Sequence, residues 1–400
     1  MSELRSPHEM IPVDQEYIFD AHKRLNIPGM SGETLLAIER INDSYERNPV
    51  DYFQRVLDTS RLPISANGAP YMVVKENGSS TDTALAVTLP YCNPIYPNVR
   101  SAAQTREAMT SGDSNAFDSN TWNNPIKHVY LFDVMKALGV RDIEGRTVPV
   151  IAIGADSQDY KPQLSKDDKK GLMHGKLDVY RKNAEEILDA EGYGAVHVAG
   201  YSQGGSVAHS ILGHSKNIDV LSGIIAEPPT YKDRSIGQLA INYLLNKPAP
   251  KNNSGVKSEE KWTESGPQVR KDLEYIKNGS ARTMLESIAL GGAWRTAFAL
   301  RKGTMLPDLE AAAKARGIFP LTVAWGETSA LTHDIEQYIQ PEHGKEVNLH
   351  PTLEAFEKES ALRLVRARGH EAVGAPHLAG ESPLFYSLLF AQSVEWVKLH

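Results

Sequence analysis

Gly200-Tyr201-Ser202-Gln203-Gly204 sets a serine between two glycines, after the apolar run Ala195-Val196-His197-Val198-Ala199 and before Ser206-Val207-Ala208-His209-Ser210-Ile211-Leu212. A serine oxygen can attack a carbonyl only where it stands clear of its surroundings. A sharp strand-to-helix turn lifts it there, and the tight return of the chain demands neighbours without bulk. Gly200, Gly204 and Gly205 supply that room. The helix that follows would turn free backbone amides and its positive end toward the same spot, where an acyl oxyanion would be stabilised. A bare glycine-x-serine-x-glycine pattern also occurs in ordinary loops. Here the β-branched run before it and the helix-compatible run after it single out an elbow carrying a nucleophile.

A serine hydroxyl is a poor nucleophile at neutral pH and needs an imidazole to take its proton and a carboxylate to orient that imidazole. The late histidines include His370, in Arg368-Gly369-His370, and His377, in Gly374-Ala375-Pro376-His377. The carboxylates after the serine include Glu227, isolated before Pro228 and Pro229, Glu327 and Asp334.

The elements that would position these groups follow from the periodicity. Residues up to about 65 read as helical and precede the core, with Leu35, Leu36, Ile38 and Ile41 on one stripe. Tyr71-Met72-Val73-Val74 and Ala84 to Leu89, separated by Asn77-Gly78-Ser79-Ser80, read as a hairpin. A helical segment near Val129 to Leu138 and the apolar strand Val148 to Gly154 come next. Then the alternation is regular: helix Leu177 to Ala190, strand Ala195 to Ala199, the elbow, helix Gly204 to Leu212, strand Leu221 to Ala226. Strands alternating with helices predict an α/β fold with a mostly parallel central sheet flanked by helices. Between Pro228 and Gly317 the rhythm breaks into helical pieces, a cap over the sheet's carboxyl edge. A strand returns at Phe319 to Gly326, and a helix from about Ser382 to Lys398 closes the chain. The domain reading is thus an N-terminal helical extension at 1–68, a core at 69–230 and 318–400, and a helical cap at 231–317.

This order of elements resembles the α/β-hydrolase superfamily, on Gly200, Ser202 and Gly204 with support from Gly154, Asp156, Gly326 and His377. The resemblance covers about four-fifths of the chain, from Tyr71 onward. It implies the chain order serine, acid, histidine, with the base in the loop after the last strand. If Leu362 to Ala367 is that strand, His370 follows it directly. If Leu353, Phe356, Ser360, Leu364 and Ala367 instead share one helix face, the strand moves later and His377 is favoured; the short gap to the closing helix also favours His377, which is the preferred base. The family's usual acid position, past Gly326, is occupied by Ser329. Some members place the acid after the strand that follows the nucleophile helix, and there this chain has Glu227, the preferred acid over Glu327 and Asp334. The oxyanion hole would combine the amide of Gln203 with that of Tyr91 or Cys92, since Pro90 has no amide hydrogen; Tyr91 is preferred.

The implied activity is that of a serine esterase or lipase-like hydrolase forming an acyl-enzyme on a small-molecule carboxylic ester with an apolar part. Cap residues such as Leu244, Leu245, Met284, Leu285 and Trp294 would line the pocket. An acyltransferase on the same apparatus, or a non-catalytic binding protein suggested by Ser329, are the alternatives.

Composition narrows the classes. The 400 residues carry 43 basic and 50 acidic side chains, a formal charge of -7, with no basic stripe of the kind nucleic acid needs. Cys92 is the single cysteine, so no intramolecular disulfide forms, which suits a cytoplasmic protein. No stretch has the length of an uncharged membrane span. Thirteen histidines invite a metal, yet no H-E-x-x-H occurs and His343 and His350 lie in polar sequence, so no metal or cofactor is expected. His197, inside an apolar strand, reads as a satisfied core histidine.

Overall fold

Strands that must be covered on both sides read as unbroken apolar runs rather than as alternations. Tyr71-Met72-Val73-Val74 and Val150-Ile151-Ala152-Ile153 are such runs, buried at every position. The computed structural model describes residues 11–14, 33–34, 36–38, 40–41, 55, 58–61, 71–88, 123–154, 164–239, 292–326, 329, 332, 334–340, 342–343, 346–347, 349–368 and 383–397.

In chain order the elements are β1 (Ile11–Asp14), β2 (Ser60–Arg61), β3 (Tyr71–Val74), β4 (Thr83–Thr88), α1 (Asn123–Ala137), β5 (Val150–Ile153), α2 (Lys166–Met173), α3 (Asp178–Glu191), β6 (Ala195–Tyr201), α4 (Gln203–His214) and β7 (Asp219–Ala226). A 3-10 turn, Pro229–Tyr231, follows. After it come α5 (Gly292–Leu300), α6 (Met305–Arg316), β8 (Leu321–Gly326), α7 (Ile335–Ile339), β9 (Glu342–His343), β10 (Glu346–Val347), α8 (Pro351–Lys358), β11 (Leu362–Arg368) and α9 (Pro383–Trp396).

Among the described residues the main sheet has nine strands in the order β1-β11-β8-β7-β6-β4-β5-β3-β2, with β6 in the middle. Only β3 runs against the rest, antiparallel to both β5 and β2. One apolar cluster covers one face, where Met72, Leu85 and Ile224 meet Phe132 of α1 and Phe390 of α9. A second covers the other face, where Val73, Val198 and Val323 meet Ile187 of α3, Ile211 of α4, Leu309 of α6 and Phe356 of α8. The fold class is therefore α/β, with a mostly parallel sheet flanked by helices.

The structure departs from expectation locally at three places. The Asn77-Gly78 turn does not close a hairpin, because β5 lies between β3 and β4 and bonds to both. Both strands are apolar on both faces, so each needs a covered neighbour on its inner edge, and the equally apolar β5 serves both. The N-terminal region is not wholly helical: Ile11–Asp14 extends the sheet beside β11, pairing Ile11 with Val365, and Ser60–Arg61 pairs with β3. Met305–Arg316, read from sequence as the end of a cap, packs its Met305, Leu309 and Ala312 into the core against the second face. The reason is close approach: a Cβ on Gly213 of α4 would lie 2.5 Å from the Asp308 carbonyl oxygen, so glycine there lets the two helices touch.

Candidate active site

The apolar β6 delivers Ser202 to the carboxyl end of the central strand. Ser202 has φ 54° and ψ -123°, a left-handed conformation that costs a non-glycine residue on the order of 1–3 kcal/mol. The surroundings fix it there. A Cβ on Gly200 would collide with the Gly204 carbonyl and the Thr88 hydroxyl, and one on Gly205 would lie 2.7 Å from the Ala226 oxygen, so both glycines are sterically required. Thr88 Oγ1 donates to the Gly204 carbonyl at 2.6 Å, and the Ser202 amide donates to the Ala226 carbonyl at 2.9 Å. Gln203 opens α4, so its amide belongs to the first turn, whose N–H groups have no partner within the helix.

The strand beside β6 delivers the carboxylate. Tyr201 and Ala226 are partners in the β6–β7 register, so Ser202 and Glu227 leave the sheet at the same level on adjacent parallel strands. Glu227 is 4% exposed and also has positive φ, 48°. Its amide donates to the Ala324 carbonyl of β8 at 2.7 Å, and its Oε2 accepts a hydrogen bond from Ser329 Oγ at 2.9 Å. Ser329 is fully buried. Ser329, at the usual acid position of the family that the sequence resembles, is thus a hydroxyl donor to Glu227. That relation escaped the sequence reading, because a serine 102 positions away carries no periodicity or motif that ties it to a glutamate.

Asp334 has other partners. Its carboxylate takes the Tyr231 hydroxyl and the Lys232 ammonium, and the Arg234 guanidinium lies 4.5 Å from the Tyr231 ring centroid. Burial pushes the Tyr231 hydroxyl up to about 12 and lowers Lys232 and Arg234 from their ordinary values. A carboxylate committed to an ammonium and a phenol is a poor orienter of an imidazole.

Glu327, Tyr91, Cys92, Asp156, His370 and His377 lie outside the described residues, as do Leu244, Leu245, Met284, Leu285 and the side chain of Trp294. What precedes the two histidines is described: Leu362–Arg368 is a strand and the helix before it ends at Lys358, so the single helix face drawn through Leu353, Phe356, Ser360, Leu364 and Ala367 does not exist. That removes one of the two grounds for preferring His377 and leaves the short gap to α9 as the other. His197 is a core histidine, its Nδ1 2.8 Å from Ser222 Oγ, and His350 caps α8, accepting from the Thr352 amide at 3.3 Å. Among the described residues no group of three or more metal-binding side chains is assembled, and no helix is long and apolar enough to cross a membrane.

No protein-family model matches the chain, and no curated protein matches it significantly. Solved structures similar to it include a membrane phospholipase A described as a bacterial virulence factor, 11% identical over 92% of this chain and 97% of that one, TM-score 0.45. A bromoperoxidase from Bacillus anthracis is 13% identical over 86% of this chain and 100% of that one, TM-score 0.44. An esterase from Pyrococcus furiosus is 11% identical over 86% and 92%, TM-score 0.40. Likeness at that level carries no weight beside the molecule's own geometry. A mostly parallel sheet covered on both faces, with a serine on a strained strand-to-helix elbow at the carboxyl end of its central strand, is the α/β-hydrolase fold.

Proposed function

We propose that this chain is a serine hydrolase that cleaves carboxylic esters through an acyl-enzyme. The observation that carries the reading is the in-register pair Ser202 and Glu227, two left-handed non-glycine residues at the ends of adjacent parallel strands. Strain of this kind persists only where the surroundings over-determine it, and it clusters at functional sites. Ser202 Oγ attacks the ester carbonyl while His377 takes its proton, with His370 the competing base. The Glu227 carboxylate holds the imidazole's other N–H and balances the imidazolium charge. Amides of Gln203 and Tyr91 hold the oxyanion. The imidazolium returns its proton to the departing alkoxide, and a water activated by the same imidazole then releases the acid from Ser202. The partner is a small-molecule ester with an apolar part, and no cofactor takes part in these steps. Ser329, the ground for a non-catalytic alternative, supports Glu227 instead.

A fluorophosphonate probe tests the reading. Wild type labels covalently and Ser202→Ala does not, and wild type turns over a short p-nitrophenyl ester. A wild-type protein that neither labels nor turns over would overturn the reading.

A further inference from the structure

We infer that Thr230 and His209 are positioning residues that hold the Glu227 turn in register with the nucleophile helix through a buried hydrogen-bonded chain, Ser206–Thr230–His209–Asp308. The inference rests on the serine-hydrolase reading above. Thr230 Oγ1 donates to Ser206 Oγ at 2.7 Å, His209 Nε2 lies 2.6 Å from Thr230 Oγ1, and His209 Nδ1 lies 2.7 Å from Asp308 Oδ2. The other carboxylate oxygen, Oδ1, is 2.8 Å from Nε2 of the half-exposed His214. Ser206, His209 and Thr230 are fully buried and Asp308 is 8% exposed. Three elements meet in this chain: Ser206 and His209 are on α4, Thr230 is in the turn after β7, and Asp308 is on α6.

Apolar side chains could fill the same space without the cost of removing a hydroxyl pair, an imidazole and a carboxylate from water. What a satisfied polar chain adds is direction, because it fixes separation and orientation to tenths of an ångström where apolar packing tolerates sliding. Both ends of what it fixes belong to the site. Ser206 is one helical turn from the nucleophile, its amide donating to the Ser202 carbonyl at 3.1 Å. Thr230 is joined to Glu227 by Pro228 and Pro229 alone, and proline locks φ, so Pro228 at φ -70° and ψ 122° makes a stiff lever. A shift of Thr230 therefore moves the Glu227 carboxylate relative to Ser202.

The test is a double-mutant cycle on ester hydrolysis. Thr230→Val keeps the side-chain volume and removes the hydroxyl; Thr230→Ser keeps the hydroxyl and removes the methyl. Thr230→Val is expected to lower kcat roughly 10- to 100-fold with KM within about twofold, and Thr230→Ser to recover kcat to within about threefold even if it is the less stable of the two. In a Glu227→Gln background, Thr230→Val should cost less than about twofold further, since the group it positions is already gone. Should Thr230→Val not fold, Ser206→Ala enters the same cycle with the same expectation. If activity follows thermal stability rather than the hydroxyl, or the loss is undiminished in the Glu227→Gln background, the relay is overturned and the serine mechanism stands. A wild type that neither labels nor hydrolyses esters removes both together.

Discussion

The elbow and the turn that carries Glu227, the proposed acid, solve the same problem by opposite means. Each holds a non-glycine residue at positive φ, 54° for Ser202 and 48° for Glu227, at the carboxyl ends of neighbouring strands. At the elbow the restraints lie mostly close in sequence: Gly200, Gly204 and Gly205 clear the space, while Thr88 and Ala226 reach in from the neighbouring strands. At the acid turn they are distant, namely the Ala324 carbonyl, the Ser329 hydroxyl and, beyond the two prolines, Thr230 bonded to α4. Local restraint demands particular residue types at fixed spacing, so it leaves a motif. Remote restraint demands only that the fold bring partners together.

The comparison breaks first at the groups proposed to react. Ser202→Ala is expected to lower kcat for a p-nitrophenyl ester by at least about 10⁴-fold, and Glu227→Gln by roughly 10³-fold, with the circular dichroism of wild type retained in both. A Glu227→Gln enzyme within about tenfold of wild type would move the acid role elsewhere, since Gln keeps the shape and loses the charge. Next come the restraints. Gly205→Ala pushes a methyl to 2.7 Å from the Ala226 oxygen, which belongs to backbone and cannot yield. It should cost about 2–4 kcal/mol in urea denaturation and take most activity with it. Ser329→Ala removes one donor from a buried carboxylate, and an effect of about 1–3 kcal/mol on stability with kcat lowered roughly tenfold is expected. If Ser329→Ala proves as damaging as Gly205→Ala, the distinction between local clearance and remote bonding fails.

The same contrast explains what the sequence made legible. The strands β5, β6, β7 and β8 and the helices α3, α4 and α9 could be read because their apolar runs and helical periods are local signals. The elbow was legible for the same reason. The β3–β5 pairing was not, since both apolar partners of β5 look alike in sequence and only the assembled sheet decides which lies where. Glu227 could be singled out by its place at a strand end before two prolines, but its partner Ser329 could not, nor could the ammonium and phenol that occupy Asp334. His209 sits in an apolar helix seven residues after Ser202, a polar residue in a buried stripe. The approach of α6 to Gly213 brings the Asp308 carboxylate to one of its nitrogens, and the turn after β7 brings Thr230 to the other.

The smallest effect separates Ser202 from Glu227 most sharply. Replacing either by a residue at ease with positive φ should recover strain at the expense of activity, but not equally. Ser202→Gly relieves the elbow and leaves the Thr88 and Gly204 bonds in place, since none of them uses the serine side chain, so a gain of about 1 kcal/mol in the urea extrapolation is expected. Glu227→Gly relieves the same backbone strain yet strands the Ser329 hydroxyl, fully buried, without its acceptor. The loss of that bond, about 1–3 kcal/mol, offsets or exceeds the relief, and the variant should be no more stable than wild type. Adding Ser329→Ala to Glu227→Gly then removes the stranded hydroxyl and should bring out the gain that Ser202→Gly shows alone. Equal gains from the two single glycine variants would mean that the acid turn, like the elbow, is held by its own backbone rather than by what β8 and the loop after it contribute.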